Sequence, residues 1–309
     1  GPLKESAKLF LAMAPTRRRL LWGAAGVAFL WEATPWTFSL KPATCERTVQ
    51  KKRTRVPTVT AVDSVLGGGE VVPPKKGHKH ECTLIYLHGC SCRASQYLED
   101  GWHLPWTGKD RWAGLRTVLP DAKVTMEPWG ESERAWHAYV KRSSNRVGDY
   151  STLQSTRERL AHIVYAEVER LAGRGDRVFL GGASQGCTVA LDTYFLQARK
   201  LLLGGFVGSV GFIPNDHQGY HGATRALEKL IVDKEQRNRP IWMQCATDDH
   251  ELVPWRSTVK PSLCRVEGRL PGIHVKEVKG RGHILDEWEG DFVRDFLEQF
   301  APPSHGDKP

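Results

Sequence analysis

Between residues 178 and 197 the chain reads Val178-Phe179-Leu180-Gly181, then Gly182-Ala183-Ser184-Gln185-Gly186, then a helix-forming stretch from Thr188 to Gln197. A serine set between glycines at such a junction predicts a sharp strand-to-helix turn. Side chains at the flanking positions would strike the neighbouring strand and helix, and the serine itself is forced into a strained conformation. A turn of this kind requires a strand inside a sheet with a helix packed directly on it. Thr83 to Leu87, Phe206 to Phe212, Ile241 to Cys245 and Val275 to Val278 are short apolar runs that read as further strands. Runs that are apolar throughout, separated by helices, predict an α/β fold: a mostly parallel sheet with helices on both faces.

Helical periodicity fills the gaps. Apolar residues at 160, 163, 164, 168 and 171 form one stripe, with Ser155 and Glu158 as a capping box and Gly173 as the stop. Leu285, Trp288, Phe292, Val293, Phe296, Leu297 and Phe300 mark a last helix. Lys123 to Met126 is expected as another strand, and Thr58 to Val62 with Glu70 to Val72 as a hairpin around Gly67-Gly68-Gly69. No repeat or internal linker interrupts residues 57–301, which are read as one domain, followed by a frayed polar tail at 302–309.

The net charge of +9 is concentrated at one end. Residues 1–60 hold 11 basic and three acidic residues, leaving 33 and 32 in the other 249. The main domain therefore lacks the electrostatic footprint of a nucleic-acid binder, and no nucleic-acid partner is expected. Residues 1–56 read as a basic arm. Thr16-Arg17-Arg18-Arg19-Leu20-Leu21 leads into an apolar run from Leu20 to Trp31, the layout of a targeting signal, and resembles a twin-arginine signal. Its twelve residues would span about 18 Å as a helix, short of a hydrocarbon core of about 30 Å. The expectation is targeting (to an organelle, a plastid or for export) or contact with a membrane surface. The alternatives are a helix lying on the domain and a cytoplasmic protein. Arg47 to Arg55 reads as a solvated basic linker.

A serine is a weak nucleophile at neutral pH unless a base takes its proton and a carboxylate orients that base. In a strand–turn–helix setting such as that of Ser184, the partners follow in the order Asp, then His. His283 stands in a glycine-flanked loop, Gly280-Arg281-Gly282-His283, after the strand ending at Val278. His274 precedes that strand and falls at the wrong sheet end, and His250 reads as a loop residue. Asp248 and Asp249 both follow the strand Ile241 to Cys245, and spacing does not choose between them. His88-Gly89-Cys90 follows the strand Thr83 to Leu87, so the backbone N–H groups of Cys90 and Gln185 are the expected oxyanion donors. Because only backbone is used, the Cys90 thiol need not take part. No cysteine pair has zinc or redox CxxC spacing, and His78 with His80 is set on a polar loop, so no metal and no organic cofactor is expected.

Leu84-Ile85-Tyr86-Leu87-His88-Gly89, Leu180 to Gly186, Phe206 to Pro214, Cys245 to Leu252 and Gly280 to His283 together resemble the acyl-protein thioesterase/carboxylesterase (phospholipase/carboxylesterase) family of α/β-hydrolases. The resemblance covers roughly residues 82–300. It implies the α/β-hydrolase fold, assigns the catalytic carboxylate to Asp249, and implies a serine esterase or thioesterase acting through Ser184, His283 and Asp249. The expected substrates are acyl esters or thioesters, with acylated proteins or lysolipids as examples. The chain departs from the family pattern at Cys90-Ser91-Cys92-Arg93, at Cys187 and at Cys245-Ala246. Trp102, Trp106, Trp112, Trp129 and Trp136 crowd the region between the loop at His88 to Cys90 and the strand-to-helix turn at Ser184, a nucleophile elbow. Of these, Trp102, Trp106 and Trp136 are the candidate walls of an apolar substrate channel. The competing readings are a catalytically silent scaffold that binds an apolar ligand or protein partner, and a lysophospholipase or peptidase.

Overall fold

In the computed structural model, residues 68–303 are described, apart from 104, 108, 127–131, 141–146, 215–221, 251, 281 and 284–286. The basic arm, the first half of the expected hairpin, Trp129 and the end of the tail lie outside the described residues. Among the described residues, eleven strands and six α-helices follow one another. β1 (Gly69–Val72) and β2 (Cys82–Leu87) precede α1 (Ala94–Glu99). Next come β3 (Leu115–Pro120), β4 (Val124–Met126), β5 (Ser132–Arg134), β6 (Ala138–Tyr139) and β7 (Val147–Asp149). Then come α2 (Tyr150–Arg170), β8 (Val178–Ala183), α3 (Gln185–Leu201), β9 (Gly205–Ser209) and α4 (Gly222–Val232). The chain finishes with β10 (Ile241–Ala246), α5 (Lys260–Leu263), β11 (Ile273–Val278) and α6 (Glu287–Phe300).

Seven strands form one sheet in the order β1-β3-β2-β8-β9-β10-β11, parallel except for the β1–β3 pair. Residues alternate between faces, and both faces are covered. Ile85, Leu87, Val178, Leu180 and Phe206 face an apolar cluster that includes buried residues of α2, α3 and α4. Leu84, Tyr86, Phe179 and Val207 face a second cluster with α1, α6, Trp106 and Trp112. This two-sided burial is why the strands read as continuous apolar runs.

Two buried polar links tie helices to this frame. Arg157 of α2 grips Asp192 of α3 through two bonds, Nε to Oδ2 at 2.6 Å and Nη2 to Oδ1 at 2.8 Å. On the other face, Glu289 of α6 accepts from the hydroxyls of Tyr86 at 2.6 Å and Tyr97 at 3.0 Å. Among the described residues, no helix is long and apolar enough to cross a membrane.

The sheet order reverses at β2. Its sequential neighbour β3 lies on one side and β8 on the other. The crevice at such a reversal, outside the carboxyl ends of the strands, is where open α/β sheets place their sites. Register brings the relevant ends level. Leu87 pairs with Gly182, Ala183 with Ser209, and Ala246 with Val278. The segments beginning at His88, Ser184, Thr247 and Lys279 therefore all leave the same sheet edge.

Several elements differ from the sequence expectation, and the strand expected over Phe206 to Phe212 ends at Ser209. β3, a central strand, carries Arg116 inside its run and ends at Pro120, which masks its apolar pattern. Lys123 to Met126 contributes β4 to a separate two-stranded sheet with β5 rather than to the main one. α2 starts at Tyr150, where the Asp149 carboxylate accepts from the Ser151 amide at 2.8 Å, so Ser155 and Glu158 lie inside the helix and do not cap it. The expected stop at Gly173 fits, with φ +83° and its N–H on the Val168 carbonyl at 2.9 Å.

Candidate active site

Ser184 joins β8 directly to α3 with φ 53° and ψ −121°, a conformation that costs a non-glycine residue about 1–3 kcal/mol. The neighbouring glycines explain how the turn closes. A Cβ on Gly186 would lie 2.3 Å from the His88 carbonyl oxygen and 2.4 Å from that of Leu87. A Cβ on Gly182 would lie 2.7 Å from the Gly186 backbone. The turn places Ser184 at the N-terminus of a 17-residue helix, whose dipole favours negative charge beside it.

The Ser184 hydroxyl and His283 Nε2 are 2.7 Å apart, and His283 Nδ1 is 2.7 Å from Asp249 Oδ2. A carboxylate only accepts, so Nδ1 carries the ring proton and Nε2 is left to accept the serine O–H. Asp249 is 3% exposed and also accepts from the Leu252 amide at 3.1 Å and the Val253 amide at 3.0 Å. Burial by itself would raise its carboxyl, but the hydrogen bond and charge of His283 and the two amides outweigh it, holding it below the usual aspartate value.

Asp248 is directed elsewhere. Its Oδ2 accepts from the Gly282 amide at 3.1 Å, inside the loop that carries His283. Asp249 is thus on the ring and Asp248 on the backbone beside it. His250 is exposed, and the His274 ring is tilted against Trp242 with centroids 5.0 Å apart, near the start of β11.

Cys90 lies three residues beyond β2, and Gln185 is the first residue of α3. The Gln185 side chain reaches back to the segment before β6. Its Oε1 accepts from the Trp136 amide at 2.8 Å and its Nε2 donates to the His137 carbonyl at 2.8 Å. The Trp136 indole N–H donates to the His88 carbonyl at 2.7 Å. His88 accepts from the Ala122 amide at Nε2 (3.0 Å), so its Nδ1 donates to the Gly89 carbonyl at 2.7 Å. Burial draws the His88 imidazole well below its ordinary value, so the ring is neutral.

Trp106 and Trp136 do not form a channel wall. Trp106 is 0% exposed and packs on Tyr86 with ring centroids 5.6 Å apart, so it belongs to the core between the sheet and α6. Trp136 is 1% exposed and tilted against His88 at 5.0 Å. Trp102 stays partly buried, edge-on to Tyr97 at 5.2 Å. The large apolar area of these rings is used to stabilise the fold, and no substrate surface is left on Trp106 or Trp136.

Cys187, where the family pattern has glycine, is fully buried. A Cβ on either Gly208 or Gly211 would come within 2.5 Å of its sulfur, so small residues on the facing strand and loop make room for it. Burial pushes the Cys245 thiol up to about 12, which removes it as a nucleophile at neutral pH. His80 Nε2 lies 2.7 Å from the Thr83 hydroxyl, and no group of three or more metal-ligating side chains occurs among the described residues.

Sequence reasoning missed three contributors: Asp248 as a loop anchor, the Gln185 side chain, and Trp136 as a buried link. The glutamine inside the elbow was a usable signal, because a buried amide side chain must find partners.

Comparison with known proteins identifies the family. The family model described as phospholipase/carboxylesterase matches residues 68–234, more than half of the chain. Acyl-protein thioesterase 1 homolog 1 of Dictyostelium discoideum is 21% identical, over 72% of this chain and 92% of that protein. Acyl-protein thioesterase 1 of Schizosaccharomyces pombe is 24% identical, over 57% of this chain and 71% of that protein. The crystal structure of Zea mays acyl-protein thioesterase 2 superposes with a TM-score of 0.57 at 19% identity, covering 74% of this chain and 96% of that one. At that identity the superposition speaks for the fold.

Proposed function

The chain belongs to the phospholipase/carboxylesterase family of α/β-hydrolases, and from that premise we propose that it is a serine hydrolase that cleaves carboxylic thioesters or esters through an acyl-enzyme on Ser184. The observation that carries the reading is the unbroken line from the Ser184 hydroxyl through His283 to Asp249, with two contacts of 2.7 Å.

In this mechanism the Ser184 oxygen attacks the acyl carbonyl as His283 Nε2 takes its proton. The new C–O bond puts negative charge on the former carbonyl oxygen. The Cys90 and Gln185 amides and the α3 N-terminus are the groups that stabilise it. When the tetrahedral species collapses, the C–S or C–O bond to the leaving group breaks and His283 returns the proton to the departing sulfur or oxygen. Water then attacks the acyl-serine by the same route, giving a carboxylic acid and free Ser184. Asp249 keeps Nδ1 protonated and stabilises the imidazolium formed in each half.

Acylated proteins and lysolipids are the substrates proposed first, because the curated relatives are named acyl-protein thioesterases and the family is named for phospholipase as well as carboxylesterase action. The basic arm at 1–56 is proposed to serve delivery or membrane-surface contact, and residues 57–301 to form the catalytic domain. A fluorophosphonate probe should label Ser184. A panel of acyl-CoA, S-palmitoyl peptide, lysolipid and short p-nitrophenyl esters should show turnover that Ser184→Ala abolishes. Well-folded protein that neither labels nor turns over any of these would refute the reading.

A further inference from the structure

The two amides assigned to the oxyanion come from different parts of the chain, Cys90 after β2 and Gln185 at the start of α3. Oxyanion stabilisation depends on the separation of such donors, and a loop amide is only as well placed as its supports. Those supports converge on one short segment, Arg134 to His137. On one side this segment holds the first donor's loop. The Trp136 indole N–H bonds the His88 carbonyl at 2.7 Å, and the Arg134 carbonyl accepts from the Ser91 amide at 2.9 Å. These contacts fall two residues before Cys90 and one after it. Arg134 also donates to the Ala122 carbonyl at 2.9 Å, next to the amide that holds the His88 ring. On the other side, the Gln185 side chain clamps the Trp136 amide and the His137 carbonyl, each at 2.8 Å.

We propose that Trp136, gripped by the Gln185 side chain, is a positioning residue that sets the gap between the Cys90 and Gln185 amides and so tunes oxyanion stabilisation. The proposal rests on the serine-hydrolase reading. The bonds made by the Trp136 indole and by the Gln185 side chain are buried, so a shift at either end passes to the other rather than being absorbed by solvent. Gln185 serves twice, its backbone as donor and its side chain as the tether of the opposite donor's support. A glutamine fits this double role because its amide donates and accepts at once.

The test compares Trp136→Phe, which removes the indole N–H but keeps a ring, with Gln185→Met, which removes both side-chain bonds at similar length. Folding is checked by thermal melting. With a p-nitrophenyl ester, kcat should fall by about 10–100-fold in either variant while KM stays within about twofold. Binding of a trifluoromethyl ketone, whose serine adduct carries the oxyanion, should weaken by the same factor as kcat/KM. The inflection of kcat/KM against pH should stay where it is in the wild type, because Asp249 and His283 are untouched. Should one variant fail to fold, the other decides. A folded variant with wild-type kcat overturns the proposal, as does a loss confined to KM or a displaced pH inflection. A wild type that neither turns over ester nor labels at Ser184 removes the underlying reading instead, so the two failures are distinguishable.

Discussion

Asp248 and Asp249 are adjacent in the chain yet hold different atoms of one loop: Asp249 accepts a hydrogen bond from Nδ1 of His283, and Asp248 accepts one from the backbone N–H of Gly282. The first bond orients a ring, and the second fixes the backbone from which that ring hangs.

Asp249→Asn should lower kcat by about 10⁴-fold with the fold intact, because an amide can donate to Nδ1 and stabilise the wrong tautomer. Asp248→Asn keeps an acceptor for Gly282 and should cost less than about tenfold in kcat, with about 1 kcal/mol in stability. Steady-state kinetics and urea denaturation of both variants would measure the contrast. Equal losses of kcat would remove the distinction between the two carboxylates.

The strain at Ser184 is separable from its chemistry. Ser184→Ala and Ser184→Gly should both abolish turnover, but only glycine relieves φ 53°. The glycine variant should melt above the alanine variant, with a difference of about 1–2 kcal/mol. Identical melting temperatures would mean that the turn stores no strain.

Gly186→Ala should be severely destabilising, since its Cβ would lie 2.3 Å from the His88 carbonyl oxygen and backbone would have to move on both sides. A loss above about 3 kcal/mol, or failure to accumulate as folded protein, is expected from overpacking of this kind. A variant with wild-type melting would contradict the close approach of β2 and α3.

Acid should weaken the fold well before the carboxylates protonate. Burial holds His137 at about 4 and keeps His88 below its ordinary value, whereas unfolded imidazoles titrate near about 6.5. Below that unfolded value the unfolded chain binds protons that the folded chain refuses. Stability is therefore complete above about pH 6.5 and falls as pH drops towards the folded values, by about 1.4 kcal/mol per pH unit for each imidazole. Asp249, held below the usual aspartate value, adds a further loss only as pH falls from that value through its lower folded one. His137→Gln removes one imidazole, so its urea midpoint should move less than that of the wild type between about pH 7 and pH 5. Parallel shifts in the two proteins would rule out His137 as a contributor.

Local signals carried much of the fold and of the proposed site, and long-range ones did not. The turn at Ser184 was legible because glycine requirements are set within five residues. His283 was legible from the strand that precedes it and the glycines that free its loop. β3 was hidden because Arg116 finds its partner, Glu167, at 3.1 Å on a helix far along the chain. The start of α2 was misplaced because Asp149 and Ser155 carry equally good capping chemistry, and only packing chooses between them. Trp106 and Trp136 were candidate channel walls in the sequence. An aromatic run does not reveal which rings are enclosed, and these two are closed in by Tyr86, His88 and Gln185, residues distant in sequence.

The pin between Glu289 and the hydroxyls of Tyr86 and Tyr97 bears on how the chain tolerates cutting and joining. Only six positions separate His283 from Glu289, so the segment carrying the imidazole is moored at one side by Asp248 and Asp249 and at the other by a carboxylate buried under β2. A polypeptide shortened just past residue 284 would keep Ser184, Asp249 and His283 in its sequence yet lose one of the two moorings. Shortening from this end would erase activity before it reached any residue assigned to the reaction, whereas a fusion placed beyond Ala301 would leave both moorings in place.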